Sequence, residues 1–101
     1  MRVDMHCHLA HPDYLTQLAR LAERGDPVAA RGAPIQRRAK DPAMWSVDLL
    51  LEEMDRHQVD VGVLSMHTPG VFFHDRGASL ALAQLTNDYY AELGRKHPGR
   101  F

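Results

Sequence analysis

Two histidines flank a cysteine near the chain start, in the stretch RVDMHCHLAHPDYL. If residues 2–8 form a strand, side chains alternate across it, so Asp4, His6 and His8 share one face while Val3, Met5 and Cys7 share the other. Two imidazoles on one strand face can converge on a single metal ion, which neighbours at i and i+1 cannot do. Neutral imidazole is a good zinc donor, and Asp4 brings a carboxylate to the same face. The spacing alone carries little weight: with seven histidines in 101 residues, random placement gives about 0.4 such pairs. On the residues alone two readings stay open. One is a metal-binding pair at the C-terminal end of a strand, where parallel α/β folds place their ligands. The other is a pair of histidines that merely hydrogen-bond to the loop that follows.

The elements that must position the pair are legible in outline. HPDYLTQLARLAERG predicts a helix, with Pro12 in its first turn, Asp13 at the positive end of the dipole, Leu15, Leu18, Ala19 and Ala22 on one stripe, and Gly25 as its stop. Residues 26–44 carry Pro27, Gly32, Pro34 and Pro42 among basic residues without a sustained period, which predicts a long irregular surface excursion. SVDLLLEEMDRH predicts a second helix with Val47, Leu50, Leu51 and Met54 as its apolar stripe. It feeds into VDVGVLSM, whose unbroken apolar character predicts a strand over 60–65 covered on both faces and paired in parallel with residues 2–6. A last helix is expected over 78–96, with Ala78, Leu82, Leu85, Tyr89 and Leu93 on one side.

Strand, helix, insert, helix, strand, helix is the order of a parallel α/β fold. The length, with 45% hydrophobic and 25% charged residues, suits one domain over 1–101. A net charge of -1 and a pI near 6.6 argue against a nucleic-acid partner. No apolar stretch is long enough to span a membrane, and a single cysteine fits a reducing, cytoplasmic setting. Two parallel strands leave two open edges, so the sequence predicts the front portion of a larger α/β fold, truncated at 101, that forms homo-oligomers or pairs with missing segments.

VDMHCH resembles the first-strand metal motif of the amidohydrolase superfamily. The later stretches MWSVDLLLEEMDRHQVDVGVLSMHTPGVFF and LAQLTNDYYAELGRKHPGRF are similar to its group containing 2-amino-3-carboxymuconate-6-semialdehyde decarboxylase and the γ-resorcylate-type decarboxylases. In that group a tryptophan precedes the helix, Met-Asp nears its end, the second strand closes on Leu-Ser, and Asn-Asp precedes a His/Tyr-Pro-x-Arg-Phe ending. Trp45, Met54 and Asp55, Leu64 and Ser65, Asn87 and Asp88, and His97 to Phe101 match in that order. The resemblance implies the N-terminal portion of a distorted TIM (β/α)8 barrel, with two parallel strands and crossover helices. It implies that His6 and His8 bind a divalent metal, most simply zinc, completed by two histidines and an aspartate on later strands that these residues do not include. The activity it implies is carboxy-lyase chemistry, releasing carbon dioxide from a small carboxylated substrate. The alternatives are metal-dependent hydrolysis of an amide, ester or lactone, and a non-catalytic module that self-associates through open strand edges.

Several other residues bear on the site. His67 lies just beyond the second strand, so in a barrel it reaches the active-site face and can contact substrate, though a loop histidine without a role fits equally. Arg37 and Arg38 match a substrate carboxylate in geometry, Arg38 being the candidate, against the reading of a solvated surface. Cys7 is expected to pack as a small core residue. Trp45, Tyr89 and Tyr90 are expected to serve packing.

Overall fold

The computed structural model describes all 101 residues. Its elements are β1 (Val3–His8), α1 (Pro12–Glu23), α2 (Pro27–Ala30), α3 (Ala33–Arg37), a 3-10 turn (Pro42–Met44), α4 (Val47–Arg56), β2 (Val61–Ser65) and α5 (Arg76–Lys96). The molecule is a mixed α/β structure with two parallel strands. No helix is long and apolar enough to cross a membrane.

The long helices start where their capping chemistry puts them. Pro12 occupies the first turn of α1, and His11 Nδ1 accepts from the Asp13 N–H at 3.0 Å. Ser46 Oγ accepts from the Leu49 N–H at 3.2 Å at the start of α4, and Asp75 accepts from the Ala78 N–H at 2.9 Å at the start of α5. Gly25, with φ at +88°, takes the left-handed conformation that lets the chain leave α1.

The insert departs from expectation. Residues 26–44 are not irregular but fold into α2, α3 and the 3-10 turn. Pro27, Pro34 and Pro42 each sit in the first turn of one of these helices, where a missing N–H costs nothing. The prolines that suggest a loop are helix starters here. At Gly32 a Cβ would lie 2.8 Å from Leu18 Cδ2, so the absent side chain is what lets the insert close onto α1.

β1 and β2 pair in parallel, Val3 with Val61, Asp4 with Gly62, Cys7 with Leu64 and His8 with Ser65. Between the second and third of these pairs β1 advances three residues and β2 two, so β1 carries a bulge. The expectation of a strand covered on both faces is corrected: Gly62 is buried but Val63 is 40% exposed, and Met5 of β1 is 72% exposed. α4 covers one face, where a Cβ at Gly62 would meet Cys7 Sγ at 3.3 Å and Met54 at 3.5 Å. The other face has no layer over it. Cys7 packs as expected, buried beneath α4.

The core lies to the side of the sheet. Ala10, Tyr14, Leu15, Leu18, Leu21, Ala29, Met44, Phe73 and Leu82 form one buried cluster joining α1, the insert, the loop after β2 and α5. The buried set is small, 17 residues of 101, in a body of 43 × 24 × 18 Å. A core of that size leaves stability sensitive to single polar contacts.

One such contact is the Asp26 carboxylate, 9% exposed. Oδ1 accepts from the N–H groups of Val28 (2.9 Å) and Ala29 (3.2 Å), and Oδ2 from those of His74 (2.9 Å) and Asp75 (3.3 Å). Burial opposes ionisation, but the four N–H donors outweigh it and hold the carboxyl below its usual range. A carboxyl with a depressed folded-state pKa contributes stability that is complete above the unfolded value of 3.8 and is lost as pH falls through the folded one. Asp26→Asn is therefore expected to lower the unfolding midpoint by several degrees at neutral pH and by progressively less below pH 3.8, read by circular dichroism melts across the acid range. An unchanged gap between the two proteins at every pH would refute the assignment.

Candidate metal centre

β1 and β2 end together, so their C-terminal residues face one another. His8, last in β1, is the partner of Ser65, last in β2. His8 Nδ1 lies 3.2 Å from the Ser65 carbonyl oxygen and 3.2 Å from Ser65 Oγ. A carbonyl only accepts, so a hydrogen bond to it requires the imidazole proton on Nδ1 and a lone pair on Nε2. That Nε2 lies 2.9 Å from His6 Nε2, with the two rings at 75° and their centroids 4.5 Å apart. In this arrangement His6 Nε2–H donates to His8 Nε2.

The pair fits a divalent cation as two donors. Zinc–imidazole bonds of about 2.0–2.1 Å in a tetrahedron separate the two nitrogens by roughly 3.3 Å, a few tenths of an ångström more than the 2.9 Å found here. His6 would need to move its proton from Nε2 to Nδ1, a tautomer change that costs a neutral imidazole little. No group of three or more His, Cys, Asp or Glu side chains is arranged to hold a metal ion.

The reason is local. Asp4, expected beside the two histidines, is separated from them by the bulge: with one extra residue in β1 the alternation breaks, and Asp4 lines a groove against α4 with Leu50, Glu53, Met54 and His57. Its Oδ1 accepts from the backbone N–H of His6 at 2.9 Å. Its charge acts on Cys7 instead: burial first, then Asp4, push the thiol above its ordinary value, so the free thiol stays protonated at neutral pH.

The structure brings His67 to the pair. Its ring lies on His8, with centroids 4.7 Å apart and planes tilted by 33°. A stacked ring does not aim a nitrogen at the point where His6 and His8 converge, so His67 flanks the pair without completing it. Its Nδ1 is buried and has no hydrogen-bond partner. Burial, followed by the charges of His8 and Arg38, lowers its pKa and keeps it neutral near pH 7. Arg38, just after α3, is thus within electrostatic reach of the cluster while its guanidinium pairs with Asp41 at 3.0 Å. Arg37 ends α3. Trp45 is part-exposed at the rim of a groove along α1, away from the histidines.

Two participants are missed by the sequence reading. Ser65 meets His8 through both its oxygens. Tyr90, expected only to pack, places its hydroxyl 2.6 Å from the Leu9 carbonyl oxygen and 3.0 Å from that of Ser65. Burial first, then Tyr89 and Cys7, push the Tyr90 phenol up to about 12, so it remains a donor. Tyr89, placed by the sequence on the apolar stripe, meets the ring of His11 edge-on at 4.8 Å. The available signal was spacing: Tyr90 is four residues after the buried Thr86 and eight after Leu82, and a tyrosine on a buried stripe needs an acceptor.

His67→Phe keeps a ring against His8 and removes a buried nitrogen without a partner. Its stability is expected to hold or to rise by about 1 kcal/mol, the low end of the penalty for an unsatisfied buried group. A denaturant titration that shows a clear loss instead would mean that His67 Nδ1 has a partner in solution. In comparisons with protein-family models, with curated proteins and with solved structures, the chain matches none of them.

Proposed function

We propose that this chain supplies the first-strand part of a divalent-metal centre acting on a small carboxylated substrate, in the manner of the amidohydrolase-related decarboxylases its motifs resemble. The observation that carries the reading is the convergence of His6 Nε2 and His8 Nε2 at 2.9 Å, at the C-terminal end of a parallel strand pair. In this reading the two strands and their crossover helices are the opening segment of a distorted (β/α)8 barrel, the remaining donors come from other strands, and the setting is cytoplasmic. A parallel pair with ligands at its C-terminal end is how such barrels present their chemistry.

His8 offers its Nε2 lone pair because its Nδ1–H is held by the Ser65 carbonyl, and His6 offers the second nitrogen from the same strand. Zinc, the simplest occupant, would supply Lewis-acid polarisation of the substrate as carbon dioxide leaves. Arg38 would hold a carboxylate, since a guanidinium matches it with two parallel N–H donors, and Asp41 orients that guanidinium meanwhile. His67, neutral and with an unused nitrogen, would meet a polar group of the substrate beside the pair. Hydrolysis of an amide, ester or lactone would use the same two histidines, and Arg38 is what favours a carboxylated substrate over it.

The uncovered sheet face favours one further reading, association between copies. Val3, Met5 and Val63 are exposed on β1 and β2, an apolar strip on a two-stranded sheet whose β2 edge meets the chain end only through the Gly62 N–H donated to the Arg100 carbonyl at 2.8 Å. Light scattering is expected to give a mass above the 11.4 kDa of one chain, falling toward it in Met5→Lys with Val63→Lys. A parent protein that stays at one chain's mass at all concentrations would remove this reading.

The metal reading is tested by titration calorimetry with zinc. The parent is expected to bind zinc weakly, because positions without a protein donor fall to water. His6→Ala with His8→Ala is expected to abolish binding. Either single change should weaken it by at least about tenfold, the scale on which even outer-shell losses act. Cys7→Ala should leave it unchanged. Equal binding by the parent and the double-histidine variant would refute the centre.

A further inference from the structure

We infer, resting on the reading of His6 and His8 as metal donors, that Tyr90 is a positioning residue for His8. Through the Ser65 carbonyl its hydroxyl fixes the imidazole as the Nδ1–H tautomer, with the Nε2 lone pair facing His6.

The geometry that carries this is a gap bridged twice. Leu9 is the first residue after β1 and Ser65 the last of β2, so their carbonyls mark where the two strands part. The Tyr90 hydroxyl, 81 residues from the first and 25 from the second, touches both, at 2.6 and 3.0 Å. One residue earlier, His8 Nδ1 crosses the same gap to the same Ser65 oxygen. A carbonyl oxygen has two lone pairs and accepts both donors. The hydroxyl has one proton, shared between the Leu9 carbonyl at 2.6 Å and the Ser65 carbonyl at 3.0 Å, so the Ser65 arm is the longer one of a three-centre bond, and turning the Ser65 peptide away from His8 breaks that arm.

Tautomer matters because the two nitrogens of His8 have opposite jobs. Were the proton on Nε2, it would point at His6 and close the only lone pair that converges with it. Ser65 Oγ offers that competing arrangement, since a hydroxyl donates as well as accepts and Oγ also lies 3.2 Å from Nδ1. Oγ is at the same time 3.4 Å from the Cys7 carbonyl oxygen. A hydroxyl proton committed to Cys7 leaves Oγ an acceptor toward His8, so the serine side chain then agrees with the carbonyl.

The test reads the tautomer in metal-free protein by long-range proton–nitrogen NMR, at a pH above the histidine titration range. In the parent, His8 should show a protonated-type Nδ1 and a lone-pair-type Nε2. Tyr90→Phe keeps the ring but not the hydroxyl, and should move both signals toward a mixture of tautomers. Tyr89→Phe is the matched control and should leave them unmoved. Ser65→Ala should retain the Nδ1–H form, because the carbonyl remains. If Tyr90→Phe does not fold, 3-fluorotyrosine at position 90 retains the hydroxyl and makes it more acidic. That draws on the Ser65 carbonyl and should shift the His8 Nδ1 signal, while the same label at position 89 should not.

An Nε2–H tautomer in the parent would overturn the inference. So would His8 signals indifferent to both changes at Tyr90. Zinc titration gives the second readout: Tyr90→Phe should bind about tenfold more weakly than the parent, within the range for outer-shell partners of metal-bound histidines. Failure of the parent to bind zinc would refute the metal reading. The NMR result would still decide whether Tyr90 sets the tautomer.

Discussion

The histidine end of the molecule depends on how β1 and β2 close at their last two rungs, Cys7 with Leu64 and His8 with Ser65. Parallel strands need a long crossover, and here α1, the insert and α4 all lie within it. The bulge makes those last rungs chemically useful, because one extra residue leaves Asp4 against α4 while His6 and His8 still converge. The absent side chain at Gly62 lets Cys7 and Met54 approach β2 closely, so the strand pair sits tightly on α4. Once the rungs are set, the Ser65 carbonyl has a fixed position and the orientation of His8 follows from it.

Periodicity made the long elements legible. α1 and α4 fall within a residue or two of their expected ends because capping residues and an apolar stripe agree there, and the parallel pairing follows from the crossover between two apolar runs. The insert is not legible as helical because Pro27, Pro34 and Pro42 signal a break and a helix start with equal strength; Asp26 and Asp41 cap the turns that Pro27 and Pro42 begin, while Gly32 before the Pro34 helix makes no side-chain cap. β2 was misread as doubly covered because Val and Leu report what a face tolerates rather than what lies on it. The HxH pair was visible from its spacing, but the bulge that separates Asp4 from it was not, since a single unpaired residue leaves no compositional mark. Arg38 and His67 lie 29 residues apart, and their nearness depends on the insert folding back over α1. Sequence spacing holds no information on that. Tyr90 was passed over in favour of Tyr89 because a stripe defined by apolarity alone does not ask where a hydroxyl finds its acceptor.

The site is polar where the fold is weakest. The sheet contributes no residue to the buried cluster, which joins the helices and the insert, so the partly buried His8 and Ser65 lie outside that core. Tyr90 is the link across that boundary. It belongs to the longest helix and reaches out of it to the strand ends.

Asp26 has a consequence for how the molecule breathes. One carboxylate receives amides from the start of α2 and from the start of α5, the latter 48 and 49 residues from Asp26 along the chain. Each pair binds its own carboxylate oxygen, and losing either leaves a buried oxygen without its donors. The protons of Val28, Ala29, His74 and Asp75 share one acceptor group, so their exchange with solvent deuterium is expected to respond together to changes at Asp26.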